Sequence, residues 1–163
     1  MSLPKPTFLL ISGAYHTPAA YTHLIPHLNR FEYPTATVSL PSVSSLTPKA
    51  ESVAKDTTSI LSTLLPLLDA GTDVVLIAHS YGGLPGGSAA TALMRSQREK
   101  EGKKGGIVAQ IYIAAFVAPE GKSLLGLNGG GHAPWVLEDV RLLSPHSLEQ
   151  KNKKVRKTDR EME

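Results

Sequence analysis

Two short stretches of this chain bring together residue types that do chemistry. In Ala78-His79-Ser80-Tyr81-Gly82-Gly83 a serine has a small residue two positions before it, Ala78, and two positions after it, Gly82. A serine hydroxyl becomes a useful nucleophile when a sharp strand-to-helix turn thrusts it out of the backbone. The positions two before and two after must then be small, because the turn is strained and tightly packed. The run before it, DVVLIA at residues 73–78, is the most strand-like in the chain, and GGSAATALM at residues 86–94 reads as a helix of small residues. Ser80 is therefore the candidate nucleophile. It would sit at the carboxyl edge of a sheet, where open α/β sheets bind ligands, beside the positive end and N–H groups of a helix.

The second stretch is Ser12-Gly13-Ala14-Tyr15-His16. Attack of a hydroxyl on a carbonyl creates an oxyanion, which needs two N–H donors aimed at it. In a turn of this kind the residue after the nucleophile supplies one donor, here Tyr81, and a loop after an early strand supplies the other, here Ala14. Gly13 would let that loop approach closely. Tyr15, His16 and Phe116 are candidates to line an apolar substrate pocket, with Tyr81 and Trp135 as further aromatic groups. Phe116 and Trp135 read equally well as core packing.

The elements that must position these residues alternate. Residues 7–11 (TFLLI) form a short buried strand. Thr17-Pro18 is a helix start, followed by Tyr21, Leu24, Ile25 and Leu28 at helical spacing, with Pro26 weakening or bending that helix. Residues 35–40 (TATVSL) are β-branched and read as a second strand that Pro41 stops. Thr47-Pro48 opens a second helix whose stripe is Val53, Thr57, Ile60, Leu61, Leu64, Leu65 and Leu68, ending at Gly71. Asp56 and Asp69 fall on that helix and are expected on its solvated surface. The third strand leads into the Ser80 turn, and residues 107–117 (IVAQIYIAAFV) form a fourth. This β-α-β-α-β-α-β order predicts an α/β fold, a three-layer sandwich with a mostly parallel sheet and right-handed crossovers.

Composition bounds the function. The 163 residues are 41% hydrophobic and 19% charged, with no cysteine, which excludes a disordered chain, disulfides and thiolate chemistry, and leans toward the cytoplasm. The longest apolar stretch, residues 107–118, falls short of a spanning helix, and from the short apolar run at the amino terminus we expect no secretion signal. The net charge of +3 is local: basic residues cluster at 95–104 and 151–160. Neither cluster contains an aromatic, so we read both as solvated surface and expect no nucleic acid and no membrane as partner. No metal site and no cofactor are expected. The absence of G-x-G-x-x-G after the first strand and of a phosphate-loop lysine argues against a nucleotide-binding domain.

Taken together, FLLISGAYHTPAAYTHLIPHL, VVLIAHSYGG and IYIAAFVAPEG resemble the α/β-hydrolase superfamily, with Ser12 where histidine is commoner. The resemblance covers residues 5–140 and is closest to small esterases and hydroxynitrile-lyase-like proteins of fungal type. It implies the amino-terminal part of an α/β-hydrolase fold, with Ser80 as nucleophile and a small apolar ester or related carbonyl compound as substrate. In this superfamily the acid and the histidine follow the serine on later strands. Those strands are missing from the pattern here. We therefore expect a truncated chain: a partial hydrolase domain over residues 1–148, with core 5–121 and the start of a cap at 122–148, then a charged disordered tail at 149–163.

Substitutes for the missing groups are weak. His79 adjoins Ser80, and neighbours at such a turn point apart. His23 and His27 lie on the first helix. His16 lines the pocket rather than acting as base. His132 and His146, with Glu138 or Asp139, have the right order but no supporting strand. Glu120 sits where a few related enzymes carry the acid. The expected function is thus a serine-hydrolase-like protein, inactive as this chain alone. The alternative is a non-catalytic hydrolase-fold protein that binds a ligand or another subunit, self-associating through an exposed sheet edge.

Overall fold

The computed structural model describes residues 4–44, 51–119, 121–127 and 129–130. Its first compact unit runs from Met1 to Leu124, and a second from Leu125 to Glu163. The first unit is built on four strands, β1 (Thr7–Ile11), β2 (Thr35–Val38), β3 (Val74–His79) and β4 (Ile107–Ile113), in the order β2-β1-β3-β4. Every pair is parallel, with Leu9 opposite Ala36 on one side and Leu76 on the other. The helices of the first unit are α1 (Leu24–Arg30), α2 (Pro41–Ser44), α3 (Val53–Asp69), α4 (Gly83–Ala90) and α5 (Arg95–Lys100); a further single turn, α6 (Leu124–Leu127), starts at its last residue and falls otherwise in the second unit.

Two-residue periodicity explains why both faces of this sheet are covered. Leu9 and Ile11 of β1 and Val74, Leu76 and Ala78 of β3 point to one face, where Ile60, Leu64 and Leu68 of α3 and Ala89 and Ala90 of α4 complete a core. Leu10, Val75 and Ile77 point to the other face and pack with Tyr21, Leu24 and Ile25. Chain direction along the sheet reverses between β1 and β3. Crossovers of one hand that run in opposite directions must put their helices on opposite faces, and α1 and α3 lie on opposite faces here. The expected layered parallel α/β architecture is present.

Several element boundaries differ from the sequence reading. The first helix is two pieces, a 3₁₀ turn at Pro18–Tyr21 and then α1. Pro26 falls in the first turn of α1, where an N–H has no helical partner to lose. Strand β2 ends at Val38, and Pro41 opens α2 instead of only stopping a strand. Helix α3 starts at Val53 with Ser52 as its cap, its Oγ accepting from the Lys55 amide at 3.3 Å; Thr47-Pro48 lies outside the described residues. The helix after Ser80 stops at Ala90. Ala92 turns to φ +59°, and Met94 makes a parallel bridge to Ile107 that feeds the edge of the sheet. Strand β4 stops at Ile113 because Ala114 adopts φ +42°.

Charged groups also depart from expectation. Arg98, placed at the surface by the sequence reading, is 2% exposed. Its Nε donates to the Gly105 carbonyl at 2.6 Å and its guanidinium reaches Asp69 at 2.8 Å. Arg95 is tied to Asp73 and Glu99. The basic run is thus partly a clamp between α5 and the loops flanking β3 and β4. Asp56 is fully buried, not solvated. Among the described residues no helix is long and apolar enough to cross a membrane.

Leu64 is 0% exposed at the centre of the α3 face. We expect Leu64→Ala to lower the unfolding free energy by about 2–5 kcal/mol, read as a fall in the urea midpoint.

Candidate active site

The carboxyl ends of β1 and β3 meet at the point where strand order reverses, the crevice in which open α/β sheets bind ligands. β1 ends in Ser12-Gly13, and β3 runs directly into Ser80. Ser80 is half-buried, has φ +51°, and begins a 3₁₀ turn, Ser80–Gly82, that continues into α4. A non-glycine residue in the left-handed region costs on the order of 1–3 kcal/mol and persists only when its surroundings enforce it.

Those surroundings are backbone. A Cβ on Gly82 would stand 2.6 Å from the Ser12 carbonyl oxygen and 2.9 Å from the Ile11 side chain. A Cβ on Gly13 would stand 2.9 Å from Ser80 Cβ and 3.0 Å from His79 Nδ1. Only glycine lets the β1 loop lie directly on the serine turn. On the third side, the Phe116 amide donates to the Ser80 carbonyl at 3.0 Å, so the segment after β4 is pinned across the turn.

The Gly13 loop is itself a turn, closed by the His16 amide donating to the Gly13 carbonyl at 3.2 Å. The amides of Ala14 and Tyr15 lie inside it and take no part in that closure. The Tyr81 and Gly82 amides lie in the first turn of a helix, where N–H groups have no helical acceptor. The Tyr21 hydroxyl donates to the Ile11 carbonyl at 2.8 Å and fixes the end of β1 beneath the loop. Burial pushes its pKa up to about 12.

The remaining candidates are distributed as follows. Tyr15 is 87% exposed with φ +66°. His16 is exposed, and its Nδ1 lies 2.8 Å from the Ala14 carbonyl. A carbonyl only accepts, so Nδ1 carries the proton there and Nε2 is left as acceptor. The His16 and His79 rings pack edge to face, with centroids 5.7 Å apart. His23 and His27 are exposed at the start of α1 and within it. Phe116 is half-buried. The Tyr81 side chain does not face the substrate side: it packs against the α3 core, and its hydroxyl donates to Asp56 at 2.6 Å. Ser12 is 1% exposed and its hydroxyl has no hydrogen-bond partner among the described residues. A groove of about 1020 Å³ runs along α4 and β4, with Gly87, Met94, Gln110, Tyr112 and Pro119 in its walls. Glu120, His132, Trp135, Glu138, Asp139 and His146 lie outside the described residues, as do the cap beyond residue 130 and the tail.

The sequence profile of the alpha/beta hydrolase family matches residues 8–156. The chain belongs to the alpha/beta hydrolase family. It is similar to "Alpha/beta hydrolase nvfD" of Aspergillus novofumigatus, with 33% identity over 122 residues, 75% of this chain and 48% of the relative. It is also similar to "Probable hydrolase R7" of a Phoma species, with 30% identity over 129 residues, 78% of this chain and 50% of the relative. The chain spans about half the length of these curated relatives.

Asp56 is the residue that sequence reasoning missed. It was visible: residues 56, 60, 64 and 68 are four apart on α3, and all four are buried. The stripe Val53, Thr57, Ile60, Leu61, Leu64, Leu65 and Leu68 contains the other three buried positions but passes over Asp56, while its Val53 and Leu65 are each 37% exposed. Burial pushes the Tyr81 phenol far above the ordinary tyrosine range; the hydrogen bond to Asp56 and its charge add to this, against a smaller opposing pull from Ser42.

Two expectations follow. The raised Tyr21 and Tyr81 favour folding below the unfolded tyrosine pKa of about 10, and that stabilisation is lost as pH rises through their folded values. Stability measured by denaturant should therefore fall above pH ~10, with the last tyrosines ionising only on unfolding, as followed by absorbance near 295 nm. Gly82→Val should collapse the turn: a branched side chain against the Ser12 carbonyl costs several kcal/mol of overpacking, seen as a large drop in melting temperature.

Proposed function

We propose that Ser80 is the nucleophile of a hydrolase-type acyl transfer on a small carboxylic ester. Support comes from a single observation, the left-handed serine at the end of β3 with Gly13 pressed against its Cβ. In this reading the Ser80 oxygen attacks the ester carbonyl carbon while its proton passes to a base. The carbonyl oxygen becomes an alkoxide held by the amides of Ala14 and Tyr81. Collapse of that intermediate expels the alcohol, which takes up the proton. Water then attacks the acyl-serine, releasing the carboxylic acid and restoring the hydroxyl. Tyr15, His16 and Phe116 border the acyl side. No cofactor enters these steps.

The base and its orienting acid are, in this proposal, not supplied by the described residues. Among the described residues no imidazole is hydrogen-bonded to the Ser80 hydroxyl: His16 bonds the Ala14 carbonyl through Nδ1, and its ring packs against that of His79. In this proposal the described residues supply charge stabilisation without proton transfer. Enzymes stripped of triad members retain roughly 10³–10⁴-fold over water, so turnover of a p-nitrophenyl ester by this chain falls below steady-state detection.

A fluorophosphonate probe with intact-mass readout tests this. Slow formation of one adduct, mapped to Ser80 and absent in Ser80→Ala, supports the assignment. Added imidazole, acting as a general base, should accelerate that labelling by about tenfold or more. Labelling elsewhere, or ester turnover unchanged in Ser80→Ala, would remove Ser80 from the role. Rapid labelling indifferent to imidazole would mean the chain carries its own base.

A second reading, binding or assembly without catalysis, has one observation in its favour. β4 ends the order of described strands, and Val108, Ile111, Tyr112 and Ile113 are each 36–45% exposed on it. We propose that this edge pairs with a second copy. Sedimentation velocity that shows concentration-dependent dimers, lost on placing lysine at Ile111, supports it; a monomer at all concentrations ends it.

A further inference from the structure

We propose that Asp56 is a positioning residue that holds the Ser80 turn through Tyr81 and thereby aims the Tyr81 amide. The inference rests on the Ser80 reading above but turns on different atoms. Asp56 is 0% exposed on α3. One carboxylate oxygen accepts the Ser42 amide at 3.0 Å; the other accepts the Ser42 hydroxyl at 2.7 Å and the Tyr81 hydroxyl at 2.6 Å. These three donors carry no charge. A buried carboxylate with neutral donors is costly for stability alone, because apolar side chains of the same shape fill such a space without desolvation. What it provides is direction. An O–H to carboxylate bond of this length is among the stronger hydrogen bonds and sharply limits where the phenol can sit.

The placement of the phenol matters because Tyr81 is the residue immediately after Ser80. Its ring is a rigid lever fixed at the far end to a seventeen-residue helix. With the ring held, the backbone of residue 81 has little freedom, and its N–H direction is set. Asp56 also joins the two ends of the link between β2 and α3, since Ser42 belongs to α2. The 3₁₀ turn, α2 and α3 therefore share one acceptor. A residue that served only to fill the core would not need an oxygen that takes a donor from each of the other two elements.

The test uses the full chain with Tyr81→Phe and Asp56→Asn, beside wild type and Ser80→Ala. Two readouts are taken. The first is the rate of fluorophosphonate addition to Ser80, split into a maximal rate and a half-saturating concentration. The second is amide hydrogen exchange at Gly83 and Phe116, both of which donate to the Ser80 carbonyl, against Leu76 and Ile77 in β3 as internal controls. Misplacement of a reacting group by about 1 Å costs up to 10²-fold. We expect the maximal rate to fall about 10- to 100-fold in both variants, with the half-saturating concentration little changed. Exchange at Gly83 and Phe116 should rise while Leu76 and Ile77 stay protected.

A merely structural role would raise exchange at all four amides together and lower the melting temperature without a selective loss at the turn; that result overturns the proposal. So does wild-type behaviour of both variants in both readouts. If Asp56→Asn does not fold, Tyr81→Phe decides, since it removes one oxygen and keeps the ring. If wild-type Ser80 takes no label, the nucleophile reading fails on its own, and the exchange pattern still decides whether Asp56 holds the turn.

Discussion

Ser80 holds a left-handed backbone because main chain crowds it from several directions at once. The β1 end lies so close that Gly82 has no room for a Cβ before the Ser12 carbonyl, and Gly13 has none before Ser80 itself. The Phe116 amide closes the remaining side. Three segments far apart in sequence thus converge on one dihedral angle. This convergence is what the parallel sheet provides. Strand order reverses between β1 and β3, so their loops leave in opposite directions and open a crevice with a serine turn on one lip and a glycine turn on the other.

The crowding fixes where Ser80 sits but not which way the next amide points. That second degree of freedom belongs to the side of the turn facing α3. There the molecule uses a polar cluster, not an apolar plug, and accepts the desolvation of a carboxylate at 0% exposure to do so. On the opposite face of the sheet, Tyr21 plays a parallel part. It caps the Ile11 carbonyl at the end of β1 with a single neutral hydrogen bond. Each lip of the crevice is therefore anchored by one tyrosine hydroxyl, one into a carbonyl and one into a carboxylate.

The sequence carried the strands and their order, because runs such as TFLLI and DVVLIA are buried on both faces and admit few other structures. It carried the two turns as well, since small residues two places from Ser80 and a glycine after β1 reflect contacts that only backbone can make. Boundaries set by tertiary packing were less legible. The helix after the turn ends at Ala90 because Met94 bridges to Ile107, a pairing between residues thirteen apart that local propensity does not encode. Arg98 and Asp56 were misplaced for one shared reason. Charge is a poor guide to solvation at both positions, because each has enough partners to be tolerated in the interior. For Asp56 the four-residue spacing with Ile60, Leu64 and Leu68 points inward; the short α5 offers no such spacing, and Arg98 is held there by the Gly105 carbonyl and Asp69.

The described half of the crevice also separates two demands that serine chemistry usually makes together. Holding an oxyanion needs amide geometry, and amide geometry comes from backbone that residues 11–16 and 78–83 already fix. Moving a proton needs a side chain with a tuned pKa at hydrogen-bond distance from the hydroxyl, and that demand cannot be met by backbone crowding. On the proposed Ser80 reading, the first demand falls to short-range packing between β1, β3 and α3, where Gly13 and Gly82 leave no room for a Cβ. The second would fall to a side chain brought to the open lip of the crevice. In that reading charge stabilisation and proton transfer are separable, and the rate would rest on which imidazole, the protein's own or one from solution, reaches the Ser80 hydroxyl.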